Sequence, residues 1–324
     1  MRILFWSGKL GNNGPANITK QYLRNLNGSF VKVKSTHKYG EFLEAVWKLA
    51  SSDVVVVSGI SRKGTLLVCM ARFLRRKSVY IMHGCASYEA VLNEVECTKE
   101  GLRREKQLLK YATLILPVSK KFMNWVKEYF PQYAHKTKYL YNGIDKDLLP
   151  RSGQYAGHRE GIIAAGGDTK LKGNTMLTEA VEGMAENVQL TICGELRNSC
   201  QPDSKRVKYT RQLPHDQFVD KLSRAKLFVL NSVHESFSIA AVEALMCGCS
   251  VLLSEKAGVT DILELEECDI IHDPMDREEI RRKILYLLEH PNNQRIMEKL
   301  DLDEYSYPKQ VARLEAMCRE LVNS

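Results

Sequence analysis

Two glutamates, Glu235 and Glu243, are the side chains whose placement in this sequence points most directly to chemistry. Seven residues separate them within HESFSIAAVE, residues 234–243. The apolar run before them, Leu227–Leu230, reads as a buried parallel strand. The stretch runs on into AAVEALM, which contains Glu243, has apolar residues at helical spacing and stops at Gly248. In an open α/β sheet such a strand–turn–helix unit puts the turn at the carboxyl end of a strand, where ligands bind. The helix N-terminus there offers unpaired backbone N–H groups and a partial positive charge, which suit a phosphate. A carboxylate beside a phosphate is unfavourable unless it binds another part of the ligand. Sugar hydroxyls are the natural partners.

The elements that must position these residues can be read along the chain. Residues 2–6 form a first buried strand, followed by a loop containing Gly8, Gly11 and Gly14 and by a helix from about residue 18 to 26. The spacing GxxGxxG differs from the dinucleotide fingerprint GxGxxG, and both a plain turn and a phosphate loop fit it. Residues 53–58 and 78–82 are further buried strands, the second ending in His83-Gly84. His83 is either an ordinary loop residue or a donor to a substrate hydroxyl or phosphate. Residues 89–111 read as one charged helix and 112–118 as a strand, after which Ser119 caps a helix over 120–130. That helix mixes Lys120, Lys121 and Lys127 with Phe122, Trp125, Tyr129 and Phe130. It fits either an ordinary amphipathic helix with its aromatics inward or one lying on a membrane. A polar stretch, 150–160, reads as a linker.

Strand–helix alternation then restarts. Strands are expected at 161–165, 188–193, 207–209, 251–253 and 270–272, with helices at 175–184, 218–222, 277–289 and 308–321. Two successive β-α-β runs imply an α/β protein with two doubly wound domains facing a central cleft. The expected division is 1–150 plus about 303–324 for the N-terminal domain and 151–302 for the C-terminal domain, the return of the last segment to the first domain being what a family resemblance implies.

Composition narrows the class. The 324 residues are 44% hydrophobic, enough for sizeable cores. Nine cysteines include no CxxC pair, and Cys247 and Cys249 fall in an apolar helix end, so reduced core thiols in a reducing compartment are expected. The N-terminal apolar run is too short for a signal peptide, and no run approaches the roughly 20 residues of a bilayer span. A cytoplasmic location follows as an expectation, with peripheral attachment at the inner face of the membrane left open. Residues 1–145 carry a net charge of +14 and the remainder −6. The basic half suits nucleic acid, an anionic membrane surface or an acidic substrate. No nucleic-acid recognition motif accompanies it, so nucleic acid is not an expected partner.

Together the motifs resemble a retaining glycosyltransferase of the GT-B fold, in family GT4, the glycosyl transferases group 1. HESFSIAAVE is similar to that family's E-x7-E segment. LKGNTMLTEAV is similar to its K-G-x-x-x-L-x-x-A segment, with Lys172 at the basic position. CGCSVLLSEKAGVTDIL resembles its G-x-P-V…G-G-x-x-E-I-L stretch, YNGID its N-G-I/V-D signal, and ATLILPVSKKF its A-D-x-I-x-x-S segment; the HG at His83 also matches. The resemblance implies that Glu235 contacts the donor sugar near the reacting carbon and that Glu243 binds the ribose hydroxyls. Lys172 would neutralise the diphosphate, backbone N–H groups of Ser236, Phe237, Ser238 and Ile239 would bind phosphate and sugar, and Asn13 and Gly14 would lie against the diphosphate. His83 would bond to the donor sugar or its phosphate. Gly167 stands where the family has an arginine, with Lys170 nearby as a second basic group. Ser236 and Ser238 replace two family glycines, and Asp261 replaces a glutamate.

The implied activity is transfer of a sugar, with retention and without metal or other cofactor. The donor would be a nucleoside diphosphate sugar, UDP being the first choice, and the acceptor a hydroxyl of a glycan or lipid-linked glycan in cell-surface polysaccharide synthesis. A nucleotide-sugar epimerase of the same fold and a non-catalytic nucleotide- or glycan-binding protein are the alternatives.

Overall fold

The computed structural model describes residues 1–7, 14–33, 38–148, 159–184, 188–195 and 204–324. The chain divides into a first unit (Met1–Val91, Val95–Asp145 and Leu302–Ser324) and a second (Leu92–Glu94 and Lys146–Asp301).

In the first unit β1 (Ile3–Trp6), β2 (Phe30–Lys32), β3 (Val54–Ser58), β4 (Lys77–Met82) and β5 (Leu114–Pro117) make one parallel sheet in the order β2-β1-β3-β4-β5. Val54 to Val57 are fully buried, as an unbroken apolar strand covered on both faces must be. The connecting helices are α1 (Gly14–Asn25), α2 (Lys38–Ala50), α3 (Arg62–Phe73), α4 (Ala86–Leu92), α5 (Lys99–Tyr111) and α6 (Lys120–Tyr129). Ser61 and Ser119 cap α3 and α6, their hydroxyls accepting from Gly64 N at 3.1 Å and Phe122 N at 3.0 Å.

The single helix expected over 89–111 is two. α4 stops at Leu92, Glu94 adopts φ +51°, and Thr98 starts α5 by accepting from Gly101 N at 3.1 Å. A left-handed residue followed by a strong N-cap is sufficient to break the helix. In α6 the aromatic residues divide, Phe122 facing the core and Tyr129 lying 45% exposed. Phe122 and Val126 are buried, and the Trp125 ring stacks on Tyr129 at 4.7 Å and meets Tyr88 of α4 at 4.6 Å.

The second unit contains β6 (Ile162–Ala165), α7 (Asn174–Glu182), β7 (Leu190–Cys193), β8 (Val207–Thr210), α8 (His215–Arg224) and β9 (Leu227–Leu230). It continues through α9 (Ile239–Met246), β10 (Ser250–Ser254), β11 (Ile270–Ile271), α10 (Arg277–Glu289) and α11 (Asn293–Lys299). Its parallel sheet runs β11-β10-β9-β6-β7-β8. Leu177, Ala180 and Val181 of α7 pack with Leu227, Leu252, Ile280 and Ile284 in one core, all fully buried. The sequence pattern gave no sign of α11. It follows Asn292, whose side chain donates to Val251 O at 2.8 Å and accepts from Val251 N at 2.9 Å, joining this segment to β10.

The chain closes with α12 (Tyr307–Asn323), which belongs to the first unit. Its Tyr307 ring meets Tyr22 edge-on at 5.4 Å, and Glu315 accepts from Ser29 Oγ at 2.7 Å. Gly143 admits this ring, since a Cβ there would lie 2.3 Å from Tyr307.

In the second sheet the chain runs from β6 outward to β7 and β8, then returns to β9 on the other side of β6. Its strand order therefore reverses between β6 and β9, and the crevice at their carboxyl ends is the place for a ligand.

Candidate active site

The loop leaving β6 carries two glycines with positive φ, Gly166 at +102° and Gly167 at +67°. A Cβ on Gly167 would lie 1.9 Å from the Glu195 carbonyl oxygen, so this loop packs backbone to backbone on the end of β7. No arginine or other side chain fits at Gly167. A glycine is therefore required at this position by packing, and only its backbone is open to a ligand. Gly166 clears a path instead, because a Cβ there would lie 2.6 Å from the Lys172 side chain, which passes over it.

Lys172 ends the short 3₁₀ turn Lys170–Lys172, which is tied to the loop after β9. Val233 N donates to Leu171 O at 2.9 Å, and the buried Asn231 side chain donates to Gly173 O at 2.9 Å and to Pro274 O at 3.0 Å. The Lys172 ammonium forms an ion pair with the Glu235 carboxylate. Both side chains are mostly sheltered, at 24% and 13% exposure, which strengthens the pair relative to one in open water. Lys170, on the same turn, is half-exposed and ion-pairs with Glu94.

Glu235 is fixed from a second direction. Its carbonyl accepts from Gly258 N at 2.9 Å, and Phe237 O accepts from Val259 N at 2.8 Å, so the loop after β10 is paired with 235–237. The Phe237 side chain is buried and anchors this loop. Ser238, at the N-cap position of α9, has φ +82° and ψ 87°, a conformation that L side chains rarely adopt. Ser236, Ser238 and Ile239 are half-buried at the start of the helix. Glu243, one turn further along α9 and 11% exposed, lies 2.8 Å from His215 Nε2 at the start of α8.

Two histidines escaped the sequence reading. His215 pairs with a residue 28 positions away, and no local spacing marks it. His234 is buried next to Glu235. Burial lowers its pKa, the Glu235 charge opposes that shift and the Lys172 charge adds to it.

In the first unit His83 follows β4, and its Nε2 lies 2.9 Å from Ser58 Oγ, which is 2.9 Å from Thr19 Oγ1. Burial pushes the imidazole down to about 4, so it is neutral at pH 7. Two carboxylates fix the loop that carries it. Glu89 accepts from Cys85 N at 3.0 Å, and the buried Glu105 accepts from Ala86 N at 2.7 Å and Ser87 N at 3.1 Å. Gly14 opens α1; Asn13, with Gly8 and Gly11, lies outside the described residues.

The second unit thus brings Gly167, Lys172, Glu235 to Ile239 and Glu243 to one sheet edge, while His83 belongs to a hydrogen-bonded chain of the first. The sequence also carries two Asp-x-Asp triplets, Asp145–Asp147 and Asp301–Asp303. Asp145 accepts from the Gln21 amide, and among the described residues no three His, Cys, Asp or Glu side chains cluster as metal ligands.

Known proteins share this architecture. Residues 146–300 match the family model described as glycosyl transferases group 1. An uncharacterized glycosyltransferase of Methanocaldococcus jannaschii is 22% identical over 204 residues, 60% of this chain and 55% of that protein, so the match spans about half of that relative's length. HepE of Anabaena, crystallised with UDP-glucose, superposes with a TM-score of 0.70 at 16% identity over 98% of this chain and 100% of its own. Sucrose-phosphate synthase of Thermosynechococcus elongatus gives 0.71 at 15% identity over 99% of both chains. These likenesses show the fold, which is α/β of the GT-B type with two Rossmann-like domains. Residues 146–300, just under half of the chain, are thus similar to the glycosyl transferases group 1 family.

Proposed function

We propose that the protein transfers a sugar, with retention and without a metal, from a nucleoside diphosphate sugar to a hydroxyl of a glycan or lipid-linked glycan. The reading places it in cell-surface polysaccharide assembly. The observation that carries it is the Lys172–Glu235 pair at the point where the second sheet reverses. A departing diphosphate gains negative charge, and a positioned ammonium together with the N–H groups at the start of α9 stabilises that charge. Glu235, released from Lys172 by the incoming diphosphate, accepts hydrogen bonds from the sugar hydroxyls. Glu243, held by His215, accepts from the ribose hydroxyls.

In the transfer step the bond from the anomeric carbon to the phosphate oxygen breaks, and the bond to the acceptor oxygen forms on the same face. The acceptor's proton passes to the departing phosphate. No nucleophilic role for Glu235 is needed. The neutral His83 suits a hydrogen bond to a substrate hydroxyl without adding charge. UDP is the first choice of nucleotide, supported by the UDP-glucose bound to HepE.

Incubation with UDP-, GDP- and ADP-sugars, with and without EDTA, tests the reading. Slow release of one nucleoside diphosphate that EDTA does not abolish, and that Lys172→Ala and Glu235→Ala remove, is the expected result. No release from any donor, with both variants fully active on the true acceptor, would overturn it.

A further inference from the structure

The outer face of the first unit carries a surface that the transfer chemistry does not use. α3 packs between α2 and α5 on one side of the sheet. Lys63 of α3 pairs with Glu41 of α2 at 3.0 Å, and the Arg72 guanidinium of α3 lies over the Tyr111 ring of α5 at 5.4 Å. The inward positions of α3 are Gly64, Thr65, Leu67, Val68 and Ala71, so the outward ones are left to other residues. Those outward positions are not the polar ones that solvent favours. Phe73 is 87% exposed, Trp47 and Leu43 of α2 are 69% and 68%, and Leu66 and Leu74 are also exposed. Large apolar groups gathered on one face mark a contact surface rather than scattered surface residues.

The charges around them are mostly positive, the acidic Glu41, Glu44 and Glu100 being paired with Lys63, Lys48 and Arg104. Between Asp53 and Glu89 the sequence contains no acidic residue, yet it contains Arg62, Lys63, Arg72, Arg75, Arg76 and Lys77. Along α5 a groove of about 370 Å³ is lined by Lys99, Arg103, Lys106, Lys110 and Tyr111. Among the described residues, none of these four cations forms an ion pair with an acidic side chain. Burial, and then the Arg72 charge, push the Lys136 ammonium down to about 8. Aromatic and aliphatic side chains ringed by arginines and lysines match the boundary of an anionic bilayer, where the rings enter the headgroup layer and the cations meet phosphates. A soluble polyanion would use the cations but would leave Trp47 and Phe73 unexplained.

We propose that the outer face of α2, α3 and α5 docks on an anionic lipid bilayer, with Trp47 and Phe73 entering the headgroup boundary and the α3 and α5 cations contacting lipid phosphates. None of these residues is one assigned to the donor site, and the proposal goes beyond the transfer reading.

The test uses the full chain with vesicles of phosphatidylcholine alone or mixed with phosphatidylglycerol, read by co-sedimentation and by tryptophan emission. Anionic vesicles should bind on the order of tenfold more tightly than neutral ones, with the advantage lost at high salt. Emission should shift to the blue, and Trp47→Phe should remove the shift, since Trp6 is buried and Trp125 is stacked. Trp47→Ser with Phe73→Ser, and separately Arg75→Glu with Arg103→Glu, should each abolish sedimentation while leaving nucleoside diphosphate release from a soluble donor unchanged. That release also shows that the variants are folded.

No binding to anionic vesicles, or binding that none of the substitutions weakens, overturns the proposal. Equal competition by dextran sulfate without a Trp47 shift assigns the surface to soluble polyanions. A concentration-dependent dimer that Trp47→Ser dissolves assigns it to a second copy of the chain. Either of these last results also overturns the proposal.

Discussion

Lys172 and Glu235 neutralise each other across the reversal of the second sheet, one on the loop after β6 and the other on the loop after β9. Each is immobilised by backbone hydrogen bonds to a neighbouring loop, so the pair is a fixed feature of the sheet edge. Lys172→Ala and Glu235→Ala should each lower kcat by about 10²–10³-fold, the usual loss when a positioned charge-stabilising group is removed. The double variant should lose little more than the worse single variant, because the two act as a unit. Steady-state release of nucleoside diphosphate measures all three, and strictly multiplicative losses would contradict a coupled pair.

Glu243 and His215 form the second pair, 2.8 Å apart. Glu243→Gln should weaken UDP binding roughly tenfold to a hundredfold, the range for a hydrogen bond to a charged group. With 2′,3′-dideoxy-UDP the wild type should bind as weakly as the variant, and the variant should lose nothing further. His215→Ala should cost less and be partly rescued by His215→Asn. Calorimetric titration with both nucleotides checks this, and an undiminished UDP affinity in Glu243→Gln would remove the ribose assignment.

Ser238 holds a left-handed backbone where its neighbours are already fixed by Phe237 and by the loop after β10. Ser238→Gly should stabilise the protein by about 1 kcal/mol, and Ser238→Val should destabilise it by more than that. Denaturant midpoints at constant m-value separate the two. A glycine variant less stable than wild type would show that the serine side chain contributes contacts worth more than the strain.

His83 predicts a pH dependence with a definite sign. Its folded pKa, about 4, is below the unfolded value of 6.5, so the unfolded chain binds the proton first. Stability is fully present above pH 6.5 and falls as the pH drops toward 4, by about 3 kcal/mol at pH 4. The stability advantage of wild type over His83→Asn should shrink by that amount between pH 7 and pH 4. An advantage independent of pH would place the imidazole in water.

The strands were legible because a parallel sheet covered on both faces demands unbroken apolar runs, as in 54–57 and 227–230. Glu235 and Glu243 were legible because strand, turn and helix follow one another without a gap. The rest depends on partners that sequence order conceals. Thr19, Ser58 and His83 meet from α1, β3 and the loop after β4, and a lone hydroxyl or imidazole carries no spacing signal. Gly167 falls where the motif that the sequence resembles has an arginine. Only the approach of the Glu195 carbonyl shows that its lack of a side chain matters. β2, with three residues, is too short for a periodic pattern, and the break at Glu94 rests on one dihedral and one cap.

The membership of α12 in the first unit has a consequence for biosynthesis. Residues 146–301 are continuous, so the second unit can complete its core as soon as that segment leaves the ribosome. The first unit begins earlier but finishes later. Until α12 emerges, Gly143 lacks its covering Tyr307 ring and Ser29 lacks Glu315. The half of the protein translated first therefore waits, unfinished, for the half translated after it, and nascent chains stopped before residue 302 should expose that gap to chaperones and proteases.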